Sequence, residues 1–563
     1  MGQNPIAIIK KYKYPLIIIG LGFFAYFNAL FNEFVWDDIA QIVASPFTHS
    51  LKQIPIIFTA GQGIFYRPFF YTFLTTIYSF FGPNVFSFHL TQVILHIANT
   101  WLFYLLLVKH LNKKLSFIAA LIFLIHPMNV EAVSYISAIS DPLFVFSGLL
   151  AFHILLRWPE KLISYILASL LFLLALLTKE ASIVLIILIF LYFLIFQRKQ
   201  LILLTVAAVI SIAIYFFLRF FVAHTTYQQI SYVPIANLPL LDRIRQIPKV
   251  ISHYLITFIF PVKLSIAQHW LVSSLNWRDF FLPLIIVVLF FSNVFFAGWK
   301  LLAKNRRQFL LYFYFFLWFF ISLLPYLHIV PIDMTVAERW FYLPMMGLLA
   351  MAAIGLQQIK LQNRHLHIFA TVLLIFIFVF FSLRTLMRNN NWFSQYTLYA
   401  HDIRISPESF DLQNGMSQQL YQQGKLEEAL PYAEKAIQLA PRWASGWNTA
   451  GTIYMQKKQY EKGIKYFSKA LENDGGCFQC FYNLIYAHIL MENYTGAKGW
   501  SEQALKSFHN EPTLLLFLAI AESKLGNQAR ALGLAKRSYE LNPTQQSTYI
   551  YNSLLNNQPV NIE

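Results

Sequence analysis

Two adjacent carboxylates, Asp37 and Asp38, follow the first apolar stretch of the chain, at the end of the segment Phe34–Asp38. Carboxylates at a membrane boundary are costly to dehydrate, so a functional role is the first hypothesis for them. A carboxylate in this place can remove the proton from a hydroxyl group that attacks a sugar carbon. Both are therefore candidate catalytic residues, with Asp37 as a general base. In the alternative interpretation, the pair only marks the membrane boundary.

A second cluster follows the third apolar stretch and contains His126, Pro127, Glu131 and Asp141. Proline is a poor continuation of a helix, so Pro127 is expected to end a spanning helix near the same surface. Glu131 and Asp141 would then lie in a short outer segment. They can hold Asp37 in position, bind an acceptor or ligate a divalent cation. Glu131 is grouped with the catalytic residues, and His126 and Asp141 with the substrate-binding residues. The alternative is a solvated connecting turn.

Three basic residues complete the set: Arg67, Lys179 beside Glu180, and Arg339 beside Glu338. The phosphate of a polyprenyl-phosphate leaving group gains negative charge as a glycosyl bond breaks. Arginine or lysine at headgroup level stabilises that charge. We predict that these five residues bind substrate. Each basic residue can instead pair with its neighbouring carboxylate or reach a lipid phosphate.

Membrane-spanning helices are the elements that must position these residues. Of 563 residues, 57% are hydrophobic and only 12% are charged, and apolar stretches of nearly spanning length recur along two thirds of the chain. The net charge of +17 comes from short basic clusters between these stretches, so it indicates topology and no nucleic-acid partner. The eleven predicted spans are residues 14–31, 85–108, 115–130, 142–157, 162–178, 181–196, 201–221, 280–299, 308–328, 339–357 and 366–384.

The basic clusters place the N-terminus inside, and an odd number of spans then places the C-terminal domain outside. The stretch Pro248–Pro261 is apolar but short, and we interpret it as a re-entrant or interfacial helix on the outer side. With this topology the ionisable residues above lie in outer loops of one face. A site assembled from loops on a helical scaffold has this pattern.

A 34-residue period runs from about Phe410 to Pro543, as in tetratricopeptide (TPR) repeats. Small residues recur at that spacing, and again seven positions later, where paired helices cross closely. These residues are Ala429, Gly463, Ala497 and Ala531, then Ala436, Ala470, Ala504 and Ser538. The groove of four repeats is expected to bind peptide or protein; alternatively, the array is a lid or spacer.

The predicted domain limits are 1–384 for the membrane domain and 410–563 for the repeats. The linker at 385–409 contains Arg388, Trp392 and Tyr396, a mixture that suits a membrane surface.

Two further pairs of residues receive structural interpretations. Cys477 and Cys480 lack nearby soft ligands for zinc, and they form either a local disulfide in an oxidising compartment or two packing thiols. His89 and His96 lie on one face of the second span and are predicted to make interhelical hydrogen bonds. No nucleotide-binding loop or nucleophile elbow occurs in the sequence, which argues against an ATP-driven pump or a serine hydrolase. An activated donor would therefore have to arrive through the membrane.

These motifs, taken in order, resemble those of the transmembrane and TPR-containing O-mannosyltransferases (TMTC), a family within the GT-C class of membrane glycosyltransferases. Each motif is short, but six in the same order are specific. The matching segments are Val35–Asp38, Tyr66–Pro68 with Phe88–Leu90, His126–Val133 with Asp141, Lys179–Glu180, Ala337–Arg339 with Tyr342–Pro344, and the repeats.

The resemblance implies an all-α fold, in which a polytopic GT-C-type helical domain precedes a TPR α-solenoid. It also implies an inverting transfer from a polyprenyl-phosphate sugar to a hydroxyl acceptor at the outer face of the cell membrane. Asp37 would be the general base and Asp38 its partner, and Ile139 stands where the family usually has an arginine. Two alternatives stay open: a transferase or polymerase of lipid-linked surface glycan, and a non-enzymatic TPR scaffold.

Overall fold

The chain folds into two units, each with its own core. The computed structural model describes residues 5–59, 65–226, 232–359 and 363–560, with the backbone alone for residues 5–12. The first unit runs to Ile405 without residues 231–237, and the second unit contains those residues together with Ser406 and all that follows.

Sixteen α-helices make up the described part of the first unit. In chain order they are α1 (Pro5–Tyr26), α2 (Ile54–Thr59), α3 (Pro68–Phe81), α4 (Val85–Val108), α5 (Lys113–Ile125), α6 (Val130–Ser134), α7 (Ser140–Arg157), α8 (Leu162–Thr178), α9 (Ile183–Phe196), α10 (Leu201–Phe217), α11 (Leu240–Ile259), α12 (Leu282–Lys304), α13 (Arg306–Leu323), α14 (Tyr342–Gln357), α15 (Arg364–Asn391) and α16 (Gln395–Ile405).

Every one of the eleven predicted spans coincides with an apolar helix. Among the described residues, seven helical segments are long and apolar enough to cross a membrane, an eighth is a bent pair, and three apolar helices are shorter. α4, α5, α7 and α14 form the core of the unit, whereas α10, α12 and α15 expose many large apolar side chains. Exposed apolar faces of this extent suit contact with lipid. The first unit is thus a polytopic membrane domain, and the exact number of spans stays a prediction.

Local sequence explains how these helices begin and end. The side chain of Asn84 caps α4 by accepting from the Phe86 amide at 3.0 Å, and Asn112 caps α5 by accepting from the Leu115 amide at 2.9 Å. Pro127 begins a 3-10 turn directly after α5, and the chain bends there by 51°. Helix α5 thus ends just before Pro127, and that the third span ends there stays a prediction.

The stretch predicted as re-entrant or interfacial belongs to α11, which begins earlier than predicted, at Leu240. The Tyr254 side chain anchors this helix to the segment before α14. Its hydroxyl donates to the Ala337 carbonyl at 3.1 Å, and its ring stacks on Phe341 with centroids 5.1 Å apart. α11 is not among the helices apolar enough to span a membrane.

The second unit contains four helical hairpins and a final helix. Its helices are α17 (Phe410–Gln422), α18 (Leu426–Leu439), α19 (Ala444–Gln456), α20 (Tyr460–Asn473), α21 (Phe478–Leu490), α22 (Tyr494–Ser507), α23 (Pro512–Lys524), α24 (Gln528–Leu541) and α25 (Gln545–Leu555). The periodic small residues are all buried, as predicted. A Cβ at Gly451 would lie 2.5 Å from the Phe467 ring, so α19 and α20 approach too closely for a larger side chain there. The unit is a TPR α-solenoid.

Candidate functional site

The loop that follows α1 separates the two adjacent aspartates into different environments. Trp36 has φ +54°, a left-handed backbone conformation that is strained for a bulky residue. Directly after it, the Asp37 side chain is exposed, whereas Asp38 is completely buried. Only Asp37 is therefore accessible to an incoming substrate.

Asp38 fastens the first loop to the turn Ile136–Ile139. Its Oδ1 accepts from the Ser137 amide at 2.7 Å and from the Ser137 hydroxyl at 2.6 Å. Its Oδ2 accepts from the Val35 amide at 3.1 Å. Burial raises the pKa of Asp38 to about 7, against the opposing effect of these hydrogen bonds. These contacts fit a positioning role for Asp38.

The Asp38→Asn variant is expected to lose a pH dependence of stability. Because the pKa of Asp38 rises from 3.8 to about 7 on folding, its contribution to stability is complete below 3.8 and is lost as the pH rises through about 7. The drop in melting temperature between pH 5.5 and pH 8 should then be larger for wild type than for Asp38→Asn, as measured on purified protein in detergent. Glu33→Gln, an exposed change in the same loop, should keep the wild-type dependence. Equal drops in wild type and Asp38→Asn would contradict this prediction.

Tyr135 interacts electrostatically with both aspartates and with Arg339. Burial raises the pKa of Tyr135 well above its ordinary value, and the charges of Asp37 and Asp38 raise it further, whereas Arg339 lowers it. The Tyr135 ring stacks on Trp392 at 5.4 Å, which fixes its orientation. Asp37 and Arg339, from distant parts of the sequence, therefore act on the same hydroxyl group.

Glu131 and Arg339 form a buried ion pair. The Arg339 guanidinium contacts Glu131 Oε1, and the Arg339 amide donates to Glu131 Oε2 at 3.1 Å. Glu131 is 0% exposed, whereas the Arg339 side chain keeps 14%. This geometry lets Glu131 orient Arg339; the catalytic role assigned to Glu131 stays a prediction.

The remaining basic residues are paired as well. Lys179 Nζ lies 2.7 Å from both Asp141 oxygens, and both side chains are buried. Arg67 Nε donates to Glu180 Oε2 at 2.9 Å, with about a quarter of each side chain exposed. Each of the three basic residues thus pairs with a carboxylate, although not with a neighbouring one as the alternative interpretation expected. None of the three partners is adjacent in sequence to its basic residue, so the pairs bring separate loops together.

Two tyrosines link these pairs into one electrostatic environment. Burial raises the pKa of Tyr71 in α3; Arg67 lowers it, whereas Asp37 and Glu180 raise it. Tyr326, which stacks on Trp340 at 5.0 Å, interacts electrostatically with three charged groups: Asp141, Arg339 and Arg67. The structure therefore gathers eight of the ten predicted site residues near one another: Asp37, Asp38, Arg67, Glu131, Asp141, Lys179, Glu180 and Arg339.

The contacts of His126 are with residues outside this cluster. Its Nε2 bonds to the Phe258 carbonyl at 2.9 Å, its Nδ1 accepts from the Met128 amide at 3.3 Å, and its ring stacks on Phe258. Nε2 therefore joins the end of α5 to α11, whereas Nδ1 caps the turn that follows α5. The predicted interhelical hydrogen bonds are confirmed for His96, which reaches Tyr342 in α14 and the Leu124 carbonyl in α5. His89 bonds instead to the Asn32 carbonyl, in the loop after α1.

Glu338 belongs to a second buried network, which the sequence analysis missed. Its Oε1 accepts from the Ser265 amide at 2.5 Å, and its Oε2 lies 4.0 Å from Arg388 Nη2. Arg388 binds both oxygens of Asp402 at 2.5 and 3.0 Å. Asp402 Oδ2 also accepts from the Ile266 amide at 2.7 Å.

The assignment of Arg388 and Trp392 to the membrane surface was wrong, because both are fully buried. The residues predicted as a linker form the end of α15 and all of α16, and the first unit extends to Ile405. One signal could have identified Arg388: an ionisable side chain close to the end of an apolar helix is costly unless it is paired. Within the described ranges, no three His, Cys, Asp or Glu side chains converge as ligands for a metal ion.

These features define a class of protein: a multi-pass, all-α membrane protein that gathers charged side chains between its helices and carries C-terminal TPR repeats. The family model for a tetratricopeptide repeat matches residues 413–442 and 444–477. Beyond the repeats, the chain is TMTC-like. It is 24% identical over 489 residues to the human protein O-mannosyl-transferase TMTC3, an alignment that covers 78% of this chain and 52% of the relative.

Other relatives carry the same kind of name. The mouse TMTC3 protein is 23% identical over 79% of this chain and 53% of its own length. The Caenorhabditis elegans protein O-mannosyl-transferase F38B6.6 is 22% identical over 76% of this chain and 63% of its own. The chain thus spans about half the length of the human and mouse relatives it matches. Among solved structures, one match is the TPR protein YrrB, described as having an unusual peptide-binding site. The two sequences are 21% identical, and the match covers 28% of this chain and 82% of the YrrB chain with a TM-score of 0.25.

Proposed function

We propose that this protein is a membrane glycosyltransferase that transfers a sugar, with mannose as the first candidate, from a polyprenyl-phosphate donor to a protein hydroxyl group. One observation carries the proposal: an exposed carboxylate, Asp37, shares its surroundings with the cations Arg67 and Arg339. The names of the TMTC relatives support protein O-mannosylation.

The proposed reaction is a single displacement with inversion at the sugar carbon. Asp37 takes the proton of the acceptor hydroxyl, whose oxygen then bonds to the anomeric carbon. The bond from that carbon to the phosphate oxygen breaks, and its electron pair leaves with the polyprenyl phosphate. Arg67, Lys179 and Arg339 stabilise the charge that develops on this leaving group.

The assignment of the acceptor to protein rests on the relatives' names and on the TPR unit, since TPR repeats recognise extended polypeptide. A groove in that unit, about 340 Å³ in volume, is lined mostly by uncharged polar, aromatic and aliphatic side chains, among them Thr452, Tyr482 and Asn483, with Lys458 as its one charged residue. Such a lining suits a polypeptide main chain with few charges.

The outer face is the proposed location of the TPR unit. Cys477 and Cys480 form a disulfide at the start of α21, and disulfides persist in oxidising compartments. In sealed right-side-out vesicles, a membrane-impermeant maleimide is expected to label Cys477 after treatment with a reductant but not before. A cysteine substituted for Lys113, at the start of α5, should be labelled only after permeabilisation. The opposite pattern would place the repeats inside.

Transfer by the purified protein tests the function directly. The full chain in detergent is supplied with a panel of polyprenyl-phosphate monosaccharides and with acceptor proteins or lipid-linked glycan. Sugar incorporation into protein is expected from one donor of the panel. Incorporation only into glycan would show that the acceptor is glycan and not protein. Inactivity of the folded protein with every donor and acceptor would favour a non-enzymatic scaffold.

A further inference from the structure

Arg219 is a cation at the site that the sequence analysis did not single out. It lies in a π-helical turn, Leu218–Val222, that directly continues α10. Turns of this kind are rare and often occur at functional sites. Arg219 Nη1 donates to the Tyr215 hydroxyl at 2.8 Å and lies 3.5 Å from Glu180 Oε1. The Arg219 side chain keeps 12% exposure, so the turn holds a nearly buried guanidinium beside the Arg67–Glu180 pair.

Glu180 is shared between two guanidinium groups. Its Oε2 accepts from Arg67 Nε, and its Oε1 accepts from the Tyr66 amide at 3.3 Å while it faces Arg219. A single carboxylate can balance only one of the two cations. The neighbouring Lys179–Asp141 pair adds one charge of each sign, so Glu180 is the carboxylate that faces both guanidinium groups.

The geometry of the group matches a phosphate ligand. Guanidinium groups bind carboxylate and phosphate oxygens in the same way, with charge-assisted hydrogen bonds. Arg67 approaches Glu180 from the segment before α3, and Arg219 approaches from the end of α10. Two guanidiniums on one anion therefore come from separate elements, as in a site that must hold a ligand oxygen on more than one side.

We propose that Arg67 and Arg219 form a two-guanidinium binding site for the phosphate of a lipid-linked ligand, and that Glu180 competes with this phosphate for the two cations. The identification of the ligand with the sugar donor rests on the proposed function. The site itself does not, because phosphate binding is measurable without transfer.

Substitutions on the two sides of the contact should have opposite effects. Arg219→Gln removes one cation and is expected to weaken binding of farnesyl phosphate by about tenfold or more. Glu180→Gln removes the competing carboxylate and is expected to tighten binding severalfold. Arg219→Lys keeps the charge without the guanidinium geometry, and an intermediate affinity is expected. If the contact were only a structural salt bridge, either substitution would weaken it, and the two substitutions would not change the affinity for farnesyl phosphate in opposite directions.

The experiment is calorimetric titration of the full chain in detergent with three probes: farnesyl phosphate, farnesol and inorganic phosphate. Each variant is first checked by its melting temperature. Arg198→Gln, an exposed arginine before the start of α10, is the matched control and should bind as wild type does. Binding of farnesyl phosphate, stronger than that of either other probe, is expected for wild type.

Unchanged binding in folded Arg219→Gln, or weaker binding in folded Glu180→Gln, would overturn the site. Equal binding of inorganic phosphate and farnesyl phosphate would overturn the lipid-linked ligand. Phosphate binding with the expected signs, together with no transfer from any donor, would overturn the proposed function and leave this site standing.

Discussion

Replacement of Asp37 by asparagine is expected to reduce sugar transfer by roughly 10²–10⁴-fold while the protein stays folded. The amide is nearly the same size as the carboxylate but cannot take a proton from the acceptor hydroxyl. Asp37 is exposed, so the substitution places no uncompensated polar group in the protein interior. Single-turnover transfer with the active donor, measured beside the melting temperature, separates loss of chemistry from loss of structure.

The control for Asp37→Asn is Glu33→Gln, which removes another exposed carboxylate from the same loop. This control should transfer at the wild-type rate. Asp37→Glu keeps a base at a shifted position and should retain more activity than the amide. Near-normal turnover in Asp37→Asn would show that Asp37 is not the general base. Near-normal turnover in Asp38→Asn as well would exclude the first loop from catalysis.

The helices of both units were predictable because their signals are local. Hydropathy locates the apolar helices, and α5 ends before Pro127 because proline disfavours a helical conformation in the residue that precedes it. The 34-residue period locates the hairpins, since small residues such as Ala429 and Ala470 are required at helix crossings. The start of α11 at Leu240 was not predicted, because its first turns are polar and extend beyond the apolar stretch that hydropathy detects.

The site was predictable in its residue types but not in its pairs. Arg67 and Glu180 lie 113 positions apart, and Glu131 and Arg339 lie 208 apart. No period or spacing in a single sequence indicates which of several cations meets which carboxylate. The different exposure of the two adjacent aspartates likewise depends on the left-handed backbone at Trp36, a conformation that tryptophan does not signal.

Arg388 and Asp402 were missed for a related reason. Arg388 lies near the end of an apolar helix, where a basic residue usually reaches the headgroups. Here Trp392 and the Glu338 network enclose it, and the Arg388 guanidinium lies 5.5 Å from the Trp392 ring. The enclosure arises because α16 folds back beside the end of α15, which no local pattern shows.

Breaking this second network is expected to cause the largest loss of stability in the first unit. Arg388→Met removes the only cation that contacts both Asp402 and Glu338 among the ion pairs of the described residues. Removing one partner of a buried pair typically costs about 3–5 kcal/mol, because the other charge stays buried and uncompensated. The melting temperature of the purified protein should fall strongly, whereas Arg404→Met, an exposed arginine of α16, should leave it unchanged.

The pH dependence and a double variant test the cause of that loss. Burial acts to raise the pKa of Asp402, but Arg388, His401 and the Ile266 amide lower it more, so it lies below its ordinary value. The stabilisation by Asp402 is therefore complete above the ordinary pKa and is lost as the pH falls through the lowered one. In Arg388→Met this loss at acid pH should disappear. Arg388→Met combined with Asp402→Leu removes both charges and should melt at a higher temperature than Arg388→Met alone. If the double variant is no more stable than the single one, Arg388 stabilises the unit through packing against Trp392, and the pair contributes little.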